Sequence, residues 1–361
     1  FSILCYIIIK FTRISEHGFD FPANIFLLIS FFYFLELFNR EKYFSEKNIA
    51  MFFIFSTLAI SIKLNTIPIM ILVFITFFLL LKKKFNFNKI ILPLFFSFLF
   101  LSFWLTQQFI YTSCLQPFLE FTCYKSSVWF NQNLIEALQS MTGVINKSYW
   151  HYSGNLTPEE YAKNFNWVST WFNRNKIELS EHIFSMIFPI MIIILINFKN
   201  LDKREKKFEY KIKQFNFVYI ALFILSGLML WFFKSPVIRF GSPYIFLSLF
   251  FIIYFLLNIF YKEIVIKNGL IYIVCLAFIF NISKNIKRIY EVEEISYWPE
   301  VLEIEYKQIK IDNYFVNYPA SEIVSTKHNL CWSIPFICDI SKGKNLRLKK
   351  KGEYIVILRD N

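Results

Sequence analysis

Apolar residues in this chain come in runs rather than in alternation with polar ones. Predominantly apolar segments cover Pro22–Phe38, Ile49–Ile62, Thr66–Leu81, Ile90–Ile110, Ile183–Phe198, Asn216–Phe233, Tyr244–Phe260 and Asn268–Ile282. Spanning hydrocarbon takes about 20 residues of helix. The shorter runs therefore predict thin local bilayer, tilted neighbours or half-helices. The chain opens at Phe1 inside another apolar stretch, Phe1–Ile9. At about 1.5 Å per residue that stretch is half a span. The expectation is the tail of a helix, so that this chain is the C-terminal part of a longer protein.

Composition narrows the class. Of 361 residues 56% are hydrophobic and 18% charged, with 48 Phe and only 8 Gly; soluble domains carry about 25% charged residues. This excludes a disordered, a collagenous or a small disulfide-dense secreted chain. The fold class predicted is an all-α polytopic membrane bundle. Residues 1–282 form it, with about eight full spans and one partial. It carries a helical outer loop, 111–181, and a small β-containing outer C-terminal domain, 283–361.

Charge sets the expected orientation. The stretch Ile49 to Leu81 is one long helix or two short ones broken at Ser61–Pro68. Two short crossings put the basic loops Asn39–Asn48 and Lys82–Lys89 on one side, as the positive-inside rule prefers. Lys63 then lies at the outer tip of a hairpin. With that alternation the short inner loops hold 16 Lys/Arg and the short outer loops 5. Of the net charge of +13, +10 then lies in the inner loops. Topology accounts for the basicity, and nucleic acid is not an expected partner.

The cysteines agree with this orientation. Cys5 and Cys275 fall in spans and read as packing residues. Cys114, Cys123, Cys331 and Cys338 all fall outside, where disulfides persist. The pairs expected are Cys114–Cys123 and Cys331–Cys338, with four free thiols as the other possibility. Their spacing does not suit zinc, and no metal is expected.

In the long loop, Ser127 to Ile145 has helical character. Thr157-Pro158-Glu159-Glu160 is a helix start with a capping box. Tyr161, Phe165, Val168 and Phe172 follow at one-face spacing. That helix is expected to lie along the membrane surface as an aromatic belt or to lid a sugar site with stacking rings. His151 reads as a solvated loop histidine rather than a catalytic one. The tail shows strand patterns at Glu303–Ile311, Tyr314–Asn317 and Tyr354–Leu358. The chain has no Gly-rich phosphate loop, H-E-x-x-H or G-x-S-x-G, so no cofactor or nucleotide fuel is implied.

Two outer loops carry candidate chemistry. Arg13-Ile-Ser-Glu16-His17-Gly18-Phe19-Asp20 holds two carboxylates at the lip of the bundle. Glu16 or Asp20 could serve as a general base or simply cap a helix. Lys234-Ser-Pro-Val-Ile-Arg239-Phe-Gly-Ser-Pro243 is stiffened by two prolines. A fixed Arg239 suits a bidentate phosphate contact or headgroup snorkelling. Lys234, Arg13 and Lys63 are the other cations expected to bind substrate or lipid phosphate there.

The short spans, broken helix pair, large outer loop and outer tail resemble the GT-C superfamily of membrane glycosyltransferases. The stretches Arg13–Asp20, Ser235–Gly241 and Cys331-Trp-Ser-Ile-Pro-Phe-Ile-Cys338 resemble an uncharacterised family of bacterial integral membrane proteins. The resemblance implies a multi-pass protein of the bacterial inner (cytoplasmic) membrane. Its loop and C-terminus would be extracytoplasmic, its partners membrane lipids and a polyprenyl-phosphate-linked sugar. GT-C enzymes place their acid in the first large outer loop, so the catalytic acid is expected upstream of Phe1. The alternatives are a transporter or flippase of lipid-linked glycans and a non-catalytic envelope scaffold. A reporter active only outside the cytoplasm should work when fused after Asn361 and fail when fused after Gln214. The reverse pattern would invert the orientation.

Overall fold

A computed structural model describes residues 7, 20–37, 45–117, 119–127, 130, 132–197, 214–260, 269–290, 306–311, 314–320, 346–351 and 354–359. Its helices are α1 (Asp20–Glu36), α2 (Glu46–Ile62), α3 (Ile69–Lys82), α4 (Ile91–Thr112), α5 (Gln132–Ile145), α6 (Pro158–Ala162), α7 (Val168–Asn197), α8 (Gln214–Lys234), α9 (Ile238–Phe260) and α10 (Gly269–Tyr290). Strands β1 (Tyr306–Ile311) and β2 (Tyr314–Pro319) form one antiparallel pair, β3 (Leu346–Lys351) and β4 (Tyr354–Arg359) another. The chain is thus mostly helical. Among the described residues, Phe87–Thr112 and Phe217–Lys234 are long and apolar enough to cross a membrane.

Local chemistry accounts for the helix ends. Ser45 caps α2 by accepting from the Asn48 amide, satisfying one of the donors a helix start leaves open. Helix α2 stops at Lys63, whose backbone is extended, and a 3-10 turn over Leu64–Thr66 follows. Pro68 has no N–H to continue the helix and instead leads into α3. Ile49–Leu81 is therefore two helices that turn at Lys63–Pro68.

The core forms where α1, α2, α3, α8 and α9 meet. Leu27, Phe31 and Phe34 of α1 are buried at helical spacing with Phe52 of α2. Phe31 stacks on Phe223 of α8, which meets Tyr244 of α9 edge-on, each pair 5.6 Å between centroids. Small residues allow close approach at three places. The Ser30 hydroxyl of α1 bonds to that of Ser56 on α2. At Gly227 an added Cβ would lie 2.2 Å from the Tyr244 ring, and at Gly241 2.4 Å from the Trp231 ring.

Several boundaries differ from the pattern of the chain. The capping box at Thr157 and Glu160 forms, but α6 ends at Ala162. Asn164 and Phe165 take left-handed backbone, with φ of 51° and 62°, and the chain turns there. Tyr161, Trp167 and Trp171 are consequently buried while Phe165 and Phe172 are exposed, so Tyr161, Phe165, Val168 and Phe172 do not share one amphipathic face. Helix α7 then runs without interruption from the loop into the apolar segment expected to start at Ile183. Helix α9 begins at Ile238, so Arg239 is part of a helix rather than of a proline-stiffened loop. Helix α10 continues past Ile282 to Tyr290, because Ile286 and Ile289 extend the apolar spacing and no breaker intervenes. Strand β3 pairs in spite of three lysines and only two apolar residues. Cys275 is exposed rather than packed.

Ala in place of Gly227 should cost about 1–3 kcal/mol by overpacking, seen as a lowered thermal midpoint of the solubilised protein. An unchanged midpoint would mean that α8 and α9 can separate freely.

Candidate functional site

Three residues far apart in the chain meet at one end of the core. Asp20 opens α1, Lys63 closes α2, and Arg239 stands in the first turn of α9. The Asp20 Oδ1 atom pairs with Lys63 Nζ, and Oδ2 lies 2.9 Å from Arg239 Nε. The carboxylate is 4% exposed, whereas the lysine and arginine side chains retain 27% and 43% of their exposure. One buried anion thus holds two cations that still face outward. The Phe240 ring lies under Lys63, with Nζ 3.7 Å from its centroid, a cation–π contact.

The backbone of α9 explains why Arg239 sits there. Pro243, inside the helix, has no N–H to offer the carbonyl four residues earlier. That carbonyl belongs to Arg239, and Asn24 Nδ2 of α1 donates to it at 3.0 Å, as does the Ser242 hydroxyl at 3.1 Å. Asn65 Nδ2 donates to the next carbonyl, Phe240 O, at 3.1 Å, and Tyr244 Oη donates back to Asn65 O at 2.8 Å. The amides of Asn24 and Asn65 therefore lock α9 to α1 and to the α2–α3 turn. Their own oxygens are buried and accept no hydrogen bond from the described residues.

The local field is positive. Burial, and after it the neighbouring Arg239 charge, pulls the Lys63 ammonium from 10.5 to about 8, against the attraction of Asp20. The N-termini of α1 and α9 add their positive dipole ends. Two cations and two helix starts face one carboxylate. Such a set suits an anion and not a metal ion, whose ligands would be acidic or neutral. Both Asp20 oxygens are engaged, which leaves this carboxylate a positioning group for the cations rather than a free general base.

The long loop between α4 and α7 docks beside this cluster. Trp171 Nε1 of α7 donates to Pro236 O, and Asn146 Nδ2 donates to the Ser235 hydroxyl at 2.6 Å. Trp167, Trp171 and Ile238 pack with Tyr161 under Trp231 and Phe232. Lys234 is not drawn into the Asp20 cluster. It lies exposed at the end of α8, and its charge acts on Lys147, whose pKa is lowered by burial first and by Lys234 second. His151 is exposed. Cys114 and Cys123 form a disulfide. Arg13, Glu16, Cys331 and Cys338 lie outside the described residues. Asn24, Asn65 and Phe240 carry no signal of function in the chain, although Pro243 four residues after Arg239 marks a carbonyl that needs a donor.

With this geometry in place, the comparison with known families decides the affiliation. The family model of DUF8201, a domain of unknown function, matches residues 1–246. The chain belongs to the DUF8201 family. That stretch contains every residue of the charged cluster, from Asp20 to Arg239, and ends inside α9. No curated protein and no solved structure matches the chain.

Removing the shared anion should be more damaging than removing one cation. Asp20→Asn should cost about 2–3 kcal/mol, below the ~3–5 kcal/mol of a fully buried pair, since the cations keep part of their hydration. From pH 8 towards about 10.4, the native chain holds fewer protons at Lys63 than the unfolded chain does. Stability should therefore gain a rising component across that window, and Lys63→Met should abolish it in pH-dependent denaturation.

Proposed function

We propose that this DUF8201 protein is a multi-pass membrane protein of the bacterial cytoplasmic membrane that binds the phosphate of a polyprenyl-linked sugar at Lys63 and Arg239. In this reading it acts as a GT-C-like glycosyltransferase on the extracytoplasmic face. The observation that carries it is the convergence of Asp20, Lys63 and Arg239. A guanidinium and an ammonium held side by side, half exposed and backed by helix N-termini, match a phosphate headgroup in charge and in donor geometry.

Other features support the membrane part of this reading. Large side chains such as Phe74, Phe78 and Phe98 are exposed along α3 and α4, as lipid-facing positions would be. The Cys114–Cys123 disulfide favours an oxidising side for the loop that docks next to the cluster. The bundle then needs the remaining apolar segments to complete about eight spans.

A second reading has its own support. Asp20 is fully occupied by its two cations, so the described site binds an anion without presenting a base. A carrier or flippase of the same lipid-linked phosphate needs no more than that. Within the transferase reading, Glu16 is the remaining acid of the Arg13–Asp20 stretch.

Binding decides the shared element. In proteoliposomes, Arg239→Ala should weaken polyprenyl-phosphate binding by about ten- to a hundredfold, the loss of one charge-assisted contact of roughly 1.5–3 kcal/mol. Arg239→Lys should recover only part of this, since the planar fork is lost. Unchanged binding in Arg239→Ala would make the residue a structural partner of Asp20 alone. Sugar transfer to an acceptor, or its absence with binding intact, separates the transferase from the carrier.

A further inference from the structure

Helix α4 ends at Thr112, Ser113 takes left-handed backbone with φ of 57°, and a short closed loop follows. The Cys114–Cys123 disulfide joins its ends, where the two residues also form a β-bridge. The Thr122 hydroxyl shares its one proton between the carbonyls of Gln116 and Leu119 and accepts from the Gln116 amide. Gln139 of α5 clamps the loop from outside by donating to Pro117 O at 3.0 Å. Although it is cross-linked and internally hydrogen-bonded, this loop exposes three large apolar side chains. Phe121 is 85% exposed, and Leu115 and Leu119 are exposed as well. A pre-ordered loop that shows a large ring to water gains nothing from it.

The surroundings identify what covers that ring. The loop continues directly from a helix apolar and long enough to cross a membrane, whose last turn exposes Ile110 and Tyr111. Exposed Tyr124 and Lys125 follow Cys123, and Glu120 precedes Phe121. Apolar residues flanked by tyrosine and lysine have the composition of a membrane–water interface. The nine-residue separation closed by the disulfide keeps Phe121 close to the end of α4.

We infer that the Cys114–Cys123 loop is a lipid-seated wedge, with Phe121 inserted among acyl chains at the interface beside α4. It anchors the outer loop to the bilayer surface and so steadies the face on which that loop meets the α8–α9 turn. This rests on the membrane reading, and its test separates the two. Benzoylphenylalanine is placed in the full chain at Phe121, at Ser126 or at mid-helix Phe98, in vesicles of phosphatidylcholine and phosphatidylglycerol. Mass analysis reads the photo-adducts and checks that the disulfide is intact in each variant. The expected result is lipid adducts at positions 98 and 121, severalfold above those at 126. Lipid at 98 but none at 121, a protein adduct at 121, or equal labelling at 121 and 126 overturns the wedge and leaves the membrane reading standing. No lipid adduct at 98 or 121 overturns both.

Discussion

A buried carboxylate can be kept charged only if cations reach it, and Asp20 meets that requirement by drawing one cation from each of two other helical segments. Its two oxygens are divided between Lys63 and Arg239. Desolvation makes an unpaired charge at this position costly, so the three segments that supply these residues are bound to one mutual geometry. Coulomb attraction in this half-buried setting exceeds its value in water. The start of α1, the α2–α3 turn and the start of α9 are thereby tied at one point. The hydrophobic burial of Phe31, Phe223 and Tyr244 below it is non-directional and by itself would permit several registers of the helices. The ion cluster and the two asparagine amides select one of them.

The same cluster carries the functional proposal because its charges do not cancel. One anion neutralises one of two cations, and the depressed Lys63 pKa reflects the crowding of like charge at low hydration. Arg239 stands at a helix N-terminus, where the dipole disfavours a cation. A bound phosphate would relieve both costs at once. The cluster is also placed where the long loop between α4 and α7 docks, through Trp171 on Pro236 and Asn146 on Ser235. The proposed ligand contact at Arg239 and the packing of the loop would therefore be two properties of one short turn.

The sequence by itself determined the element list and much of the chemistry. Long apolar runs can satisfy their backbone only as helices when little polar surface is available, and the charge distribution divides Ile49–Leu81 at Lys63, where the structure turns. Local rules also reach the Ser45 side of α2 only in hindsight, but they reach the Thr157–Glu160 capping box and the Cys114–Cys123 pairing directly. Glu16, Arg13, Cys331 and Cys338 lie outside the described residues, so their expected roles stand as sequence expectations.

Tertiary structure decided the rest. Asp20 looked like a loop acid, and only the folded chain shows it buried with both oxygens occupied, because ion pairs between residues 43 and 219 positions apart leave no trace in local pattern. Lys234 and Arg239 sit in one short stretch, yet the helix start at Ile238 turns Arg239 towards Asp20 and leaves Lys234 acting on Lys147. Amphipathic spacing placed Tyr161 and Phe165 on one face, and left-handed backbone at Asn164 and at Phe165 itself took them apart. Periodicity describes one helix at a time; which carboxylate meets which cation depends on how helices cross, and that is a property of packing.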